Sequence, residues 1–438
     1  MNDHIRDIYT LFLRNPVITI DSRMVPEGSV FFALRGEHFD GNHFAADALS
    51  HGASFAVVDN PECVSDARCI LVDNVLAVLQ QLAQYHRSRF SIPVIAVTGS
   101  NGKTTTKELI SAILEKKYRT VATRGNLNNH IGVPLTLLNI NNETEIAVVE
   151  MGANHPGEIR TLCSLAMPDH GLVTNIGKAH LEGFGSQEGV RKAKKELYDH
   201  LAETGGIVFR NDDDSVLKEL DYPADRIISY GTKAGSVQQA DITAMDPFLQ
   251  VIWKDTTAQD NKAITITTRL AGSYNLHNVL AALAVARYFN VDRHTIVEAV
   301  EAYQPSNMRS QIIRQGTNLW LLDAYNANPS SMIAALKDFT RFSHPNKILI
   351  LGDMLELGHE EDAEHRAVIS FIEKATVNTV CLVGPVFKRN NRNTSFYMFD
   401  RAEQLAEWLK TNPPRDAFIL VKGSRLIKLE KIFDTQNK

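Results

Sequence analysis

Val94-Ile95-Ala96-Val97-Thr98-Gly99-Ser100-Asn101-Gly102-Lys103-Thr104-Thr105-Thr106-Lys107 is the stretch from which the rest of the chain can be read. Its first four residues are an apolar run of strand length, and Leu109, Ile110, Ile113 and Leu114 downstream mark one face of a helix. Strand, glycine turn and helix follow in the order that binds a phosphate. Glycines let backbone N–H groups close around phosphate oxygens, the helix N-terminus favours the anion, the Lys103 ammonium reaches terminal phosphates, and the Thr104 hydroxyl suits Mg²⁺. The usual loop has about four residues between its first Gly and the Gly-Lys pair. Here only Ser100 and Asn101 separate Gly99 from Gly102, so this is a shortened variant. A glycine turn that merely caps a helix is the plain alternative, and the ordered context speaks against it.

Working outward, apolar strands alternate with amphipathic helices after Val94. Ile146-Ala147-Val148-Val149, Leu172-Val173-Thr174, Ile207-Val208-Phe209 and Ile227-Ile228-Ser229 predict strands of one largely parallel sheet. Between residues 241 and 270 the pattern alternates, as in Ala263-Ile264-Thr265-Ile266-Thr267, which predicts appended antiparallel strands ahead of helices from His277 and His294. Upstream, short β-rich runs (Val17-Ile18-Thr19-Ile20, Val30-Phe31-Phe32-Ala33-Leu34, Phe55-Ala56-Val57-Val58), a helical stretch over 44–51 and a linker helix over 76–89 predict a small α/β domain. Downstream, Leu319-Trp320-Leu321-Leu322, Lys347-Ile348-Leu349-Ile350-Leu351, Val380-Cys381-Leu382-Val383 and Phe418-Ile419-Leu420-Val421 predict a Rossmann-like sheet. The expected organisation is α/β in three domains: residues 1–88, a central phosphate-loop domain over 89–306, and a Rossmann-like domain over 307–438.

The 438 residues suit about three cores of ordinary size. An apolar share of 44% and a charged share of 22% are those of a globular protein, and a net charge of −5 without a dense Lys/Arg run lacks the footprint of a nucleic-acid binder. Met1-Asn2-Asp3-His4-Ile5-Arg6-Asp7 carries charge where a secretory signal needs apolar residues, and no apolar run is long enough to span a bilayer. These features predict a cytoplasmic chain without membrane insertion, and a monomer, there being no coiled-coil seam. Cys63, Cys69, Cys163 and Cys381 show no metal-type spacing and read as reduced packing residues.

The loop Thr98-Gly99-Ser100-Asn101-Gly102-Lys103-Thr104-Thr105 resembles the shortened phosphate loop of the Mur ligase family and its folylpolyglutamate synthase relatives. Gly125-Asn126-Leu127-Asn128-Asn129, Glu150-Met151-Gly152-Ala153-Asn154 and Lys178-Ala179-His180-Leu181-Glu182-Gly183-Phe184-Gly185-Ser186 resemble the family's MurF branch in the expected order. So do Asp323-Ala324-Tyr325-Asn326-Ala327-Asn328-Pro329, Gly352-Asp353-Met354-Leu355-Glu356-Leu357-Gly358 and Lys422-Gly423-Ser424-Arg425. Asp21-Ser22-Arg23 with the following Gly28 to Gly41 segment is similar to the uridine-nucleotide domain shared by MurE and MurF, which folylpolyglutamate synthases lack. The chain departs from the branch at His130, where Glu is common, and at Asn307-Met308-Arg309, where a Gly usually precedes the Arg.

The resemblance implies an ATP-dependent ligase that joins D-alanyl-D-alanine to UDP-N-acetylmuramoyl-tripeptide through an acyl phosphate. A MurE-like or folylpolyglutamate-synthase-like ligase, or a regulator that binds these ligands without ligating them, are the alternatives. It assigns ATP to Gly99, Ser100, Asn101, Gly102, Lys103, Thr104, Thr105, Asn278, Arg309 and Asp323. It gives one Mg²⁺ to Thr104 and Glu150, and a second to His180 and a carbamate formed from Lys194 with CO₂. Lys192, Lys194 and Lys195 share one helix, and from the residues alone such a run is a solvated basic face or places the reactive lysine at any of the three. A lone His is likewise more often structural, and a strand-end Glu is as often a plain surface residue as a ligand. For the sugar-peptide the resemblance points to Ser22, Arg23, Asn126, Asn128 and Asn129, and for the dipeptide to Asn326, Asn328 and the Gly352–Gly358 loop.

Overall fold

The computed structural model describes residues 3–260 and 262–434, so Met1, Asn2 and the last four positions of the third expected domain lie outside the described residues. The run Val94–Thr98 is an interior strand, third from one edge, of a nine-stranded sheet and is followed by the helix Lys103–Leu114. To one side of it lie Ile146–Glu150 and then Thr120–Ala122; to the other lie His170–Val173, Ile207–Asn211, Ile227–Gly231 and Gln238–Met245, all parallel. Phe248–Asp255 and Ala263–Ala271 continue antiparallel, as the alternating sequence predicts. The chain leaves Val94–Thr98 toward one edge and returns to build the other. This reversal of strand order opens a crevice at the strands' C-terminal ends, where open α/β sheets bind ligands.

Fully apolar strands need a core on both faces. Val97, Val148, Leu172 and Phe209 pack with Leu109, Ile110, Ile113 and the helix Asn275–Tyr288. Val94, Ala96, Val149 and Val173 pack on the opposite face with Ile159, Leu162, Leu197 and Leu201. That second core runs without a break into the first domain, whose Ile5, Ile8, Phe12, Val30, Phe32, Leu79 and Leu82 belong to the same cluster. The first domain is a four-stranded parallel sheet ordered Ile18–Thr19, Val30–Phe32, Phe55–Val58, Cys69–Leu71, joined to the centre by the helix Val75–Arg87.

The third sheet has six strands in the order Gln311–Gln315, Asn318–Asp323, Phe418–Lys422, Lys347–Gly352, Thr379–Val383, Tyr397–Phe399. All are parallel except the first. Helices Pro329–Arg341 and Glu361–Ile372 cover one face and Ala402–Thr411 the other. Asp323 and Lys422 are register partners at the ends of neighbouring strands, so this sheet also presents its functional residues from C-terminal ends. No described helix is long and apolar enough to cross a membrane, and all four cysteines are free thiols, Cys163 and Cys381 fully buried.

Candidate active site

A cavity of about 1070 Å³ lies where the C-terminal ends of the second and third sheets face each other. Its lining draws on the phosphate loop, residues 126–130, the Glu150 strand end, the His180 loop, the start of the helix Asn275–Tyr288, and Arg309, Asp323, Tyr325, Asn326, Asn328 and Lys422 of the third domain.

In the phosphate loop Gly99 and Gly102 take φ of 142° and 80°. A Cβ on Gly102 would stand 2.3 Å from Asn278 Oδ1. Only glycine fits both the left-handed backbone and the close approach of that helix. Asn278 is fixed on both sides, accepting from the Thr106 hydroxyl (3.1 Å) and donating to Asn275 Oδ1 (2.8 Å). Lys103 folds back on its own loop, its Nζ donating to the carbonyls of Gly99 (2.7 Å) and Ser100 (3.3 Å). Burial pushes its pKa below the ordinary lysine value, Glu150 opposes that shift, and Arg309 adds to it.

Glu150 is buried at the end of its strand. Its Oε1 accepts from Thr104 Oγ1 (3.1 Å) and Asn128 Nδ2 (2.7 Å), and its backbone N–H donates to Thr123 Oγ1 (3.0 Å). Its Oε2 is buried with no hydrogen-bond partner. A carboxylate oxygen is costly to leave unpaired, so this orphan oxygen beside a threonine hydroxyl is the donor set a small hard cation takes. Among the described residues no group of three or more His, Cys, Asp or Glu side chains forms a protein-only metal cluster.

His180 sits in left-handed backbone, φ 52°, before the short helix Leu181–Phe184, and its Nδ1 stands against the Glu356 carboxylate of the third domain. The adjacent imidazole holds the Glu356 carboxyl below its usual range, through a close contact that lacks ordinary hydrogen-bond geometry at Nδ1. Lys194 lies beneath that loop, 2% exposed, its Nζ 5.7 Å from the centre of the Phe184 ring. Burial, then the Lys103 charge, lower its pKa from 10.5 to about 7. Its neighbours differ: Lys192 is exposed and Lys195 pairs with Asp199. Geometry therefore separates three lysines that spacing leaves equivalent.

On the third domain, Arg309 stacks on the Tyr325 ring, 3.6 Å from its centre, with Arg425 at 5.4 Å. Met308 before it is left-handed at φ 56°, as are Asn307 and Ser310, so the chain turns here without the usual glycine. Asp323 accepts from Ser310 N–H (3.2 Å) and pairs with the buried Lys422 at 2.6 Å. Asn328 caps the helix Pro329–Arg341 through Ser331 and donates 2.8 Å to Asn101 Oδ1, tying the phosphate loop to the third sheet. Asn326 Oδ1 accepts from Ala327 N–H (2.9 Å). Asn129 caps the turn at 131–132 (3.1 and 2.9 Å), and Asn126 lines the cavity. Ser22 and Arg23 stand outside the cavity lining; the Arg23 side chain is 86% exposed and bonded to Asp21. Glu356, Lys422, Tyr325 and Asn101's partner role were not singled out by sequence reasoning. All four lie inside motifs quoted above, and what local sequence does not show is their pairing, across domains for Glu356 and Asn101 and within the third domain for Lys422 and Tyr325.

Three family models match the chain: "Mur ligase family, catalytic domain" over 16–87, "Mur ligase middle domain" over 97–286 and "Mur ligase, glutamate ligase domain" over 308–425. The UDP-N-acetylmuramoyl-tripeptide–D-alanyl-D-alanine ligase of Bacillus subtilis (strain 168) is 34% identical over 428 residues, covering 95% of this chain and 92% of that one. Its Escherichia coli (strain K12) counterpart is 36% identical over 370 residues, 84% of this chain and 81% of that one. The crystal structure of MurF from Acinetobacter baumannii superposes with a TM-score of 0.85 at 31% identity, covering 96% and 93% of the two chains. MurF from Thermotoga maritima, solved in complex with ADP, gives 0.82 at 27% identity over 99% and 98%.

Proposed function

The chain belongs to the Mur ligase family, and from that premise we propose that it joins D-alanyl-D-alanine to the peptide carboxylate of UDP-N-acetylmuramoyl-tripeptide, using ATP. The observation that carries the reading is the single cavity in which the phosphate loop and Glu150 face Arg309, Asn326 and Asn328 of the third domain. Transfer of the terminal phosphoryl group of ATP to the tripeptide carboxylate gives an acyl phosphate and ADP. The neutral amine of the dipeptide then attacks the acyl carbon, and the tetrahedral adduct expels inorganic phosphate as the amide forms and the nitrogen loses one proton.

Such chemistry asks the protein mainly to position reactants and offset charge. The backbone of 99–105 and Lys103 face the phosphates, and Arg309 approaches the transferred group from the opposite domain. Lys103 must leave the carbonyls of Gly99 and Ser100 to do so. Asn278 serves the adenine side and Asp323 the ribose. Thr104 and Glu150 would hold the first Mg²⁺, and His180 with a carbamate of Lys194 the second. Bound there, the ions would supply positive charge that offsets the phosphates. Support for the Lys194 role is its burial and its pKa near 7, which leaves a large neutral fraction able to take up CO₂. Asn126, Asn128 and Asn129 lie on the sugar-peptide side and Asn326 and Asn328 on the dipeptide side. Ser22 and Arg23 serve the uridine nucleotide, from the first domain's surface. The protein works as a monomer in the cytoplasm.

The test is phosphate release from ATP and Mg²⁺ with the UDP-tripeptide, with and without D-alanyl-D-alanine, alongside mass spectrometry of the UDP-pentapeptide. Dipeptide-dependent release matched by pentapeptide is expected. Folded, ATP-binding protein that makes no pentapeptide overturns the reading.

A further inference from the structure

We infer that Glu356, on a loop of the third domain, is a positioning residue for His180 of the central domain, so that docking of the third domain completes the second metal site. The inference rests on the metal role given to His180 under the proposed function and deepens it.

His180 lines the cavity, and the Glu356 carboxylate stands against its Nδ1. The contact is an ion pair without ordinary hydrogen-bond geometry at Nδ1, and with a carboxylate facing Nδ1 the proton is held there and the lone pair is left on Nε2. Metal-binding histidines nearly always give their second N–H to a carboxylate, a carbonyl or water, which fixes the tautomer and raises ligand basicity. Here that partner comes from another domain.

Both residues are held in place from outside. His180 and Glu356 are left-handed, with φ of 52° and 63°, a conformation costly for side chains with a Cβ. Within the third domain, Met354 N–H donates to His365 Nε2 (3.0 Å) and Leu355 N–H to Ser424 Oγ (2.9 Å), so the loop reaches Glu356 already shaped. Across the boundary, Glu182 N–H donates to the Glu356 carbonyl (3.2 Å) and Lys178 N–H to Ser330 Oγ (3.1 Å). Lys178 Nζ meets Glu364 at 2.6 Å and Glu360 at 3.3 Å. On its other side the same segment is pinned to the phosphate loop, where Ser100 Oγ donates to the Gly177 carbonyl (3.1 Å). Residues 177–182 are thus clamped between the nucleotide loop and the third domain, and the one imidazole they carry is oriented by the latter.

The experiment titrates Mn²⁺ into the full chain with a non-hydrolysable ATP analogue and the UDP-tripeptide, counting bound ions by electron paramagnetic resonance. Hydrogen exchange of residues 177–184 is followed alongside. Wild type is expected to bind two ions. Glu356→Ala is expected to weaken the second ion about tenfold, leave the first ion and the analogue unchanged, and speed exchange of 177–184; Glu356→Gln, which keeps shape and loses charge, falls between. Retention of the first ion shows that either variant is folded. Second-ion affinity equal to wild type in both variants overturns the inference. A wild type that makes pentapeptide yet binds one ion removes the His180 metal role, and this inference with it, while the ligase reading stands.

Discussion

Replacing Lys194 by methionine separates what this side chain costs the fold from what it does for the reaction. Buried over the Phe184 ring and near the Lys103 charge, the amine has its pKa lowered from 10.5 to about 7. A lowered pKa on a base means the unfolded chain holds the proton more tightly than the folded one. The opposition to folding is therefore at full size below pH 7, shrinks as pH rises, and is gone above the unfolded value. At about 1.4 kcal/mol per pH unit, the full size is on the order of 5 kcal/mol. Methionine has a similar shape and no charge. In buffer purged of CO₂, Lys194→Met is expected to be more stable to urea than wild type by about 4 kcal/mol at pH 7, with the gap closing by about 2 kcal/mol at pH 9. Bicarbonate should stabilise wild type alone, with a carbamate signal in ¹³C spectra, and turnover of the variant should fall at least about a hundredfold. Parallel pH–stability curves for the two proteins would refute the reasoning, because a lysine that titrates normally gives the difference no slope.

Gly102→Ala forces a Cβ to 2.3 Å from Asn278 Oδ1 in left-handed backbone; loss of ATP-analogue binding by calorimetry is expected, and unchanged affinity would count against the assigned adenine side. Glu150→Gln leaves the strand end filled and relieves an unpaired buried carboxylate oxygen. Its thermal stability should equal or exceed wild type by about 1 kcal/mol while phosphate release drops; loss of both together would point to a purely structural carboxylate. Asn328→Ser keeps the helix cap but is too short for Asn101, whereas Asn328→Ala loses both. Only the alanine variant should lose about 1 kcal/mol of stability, and both should raise the KM for ATP.

The phosphate loop was legible because everything that defines it is local: glycines, a lysine and the apolar strand before them. The antiparallel extension was legible from its alternating pattern. Less visible were Thr120–Ala122, Gln311–Gln315 and Tyr397–Phe399, short or edge strands whose pairing partners, not their own residues, make them strands. Val17-Ile18-Thr19-Ile20 narrows to Ile18–Thr19, and the helix Asp3–Arg14 went unremarked. The site divides along the same line. Lys103, Thr104 and Glu150 sit at strand and helix ends that periodicity locates. The partners of His180 and Asn101 depend on how two sheets face each other across more than a hundred residues, and no local pattern encodes that.

The unbroken core between the first sheet and the centre bears on how this protein can be rebuilt. Val75, Leu79, Leu82 and Ala83 belong to one cluster with Val133, Leu137 and Ile159. A chimera that swaps nucleotide recognition from a relative must cut somewhere through this shared interior. A graft ending before residue 75 keeps the native helix and its central partners; one ending after residue 87 imports a helix cut for another protein's cavity-free packing. The first should express and the second should aggregate, so the useful seam for exchanging substrate specificity lies one helix upstream of where the loops suggest it.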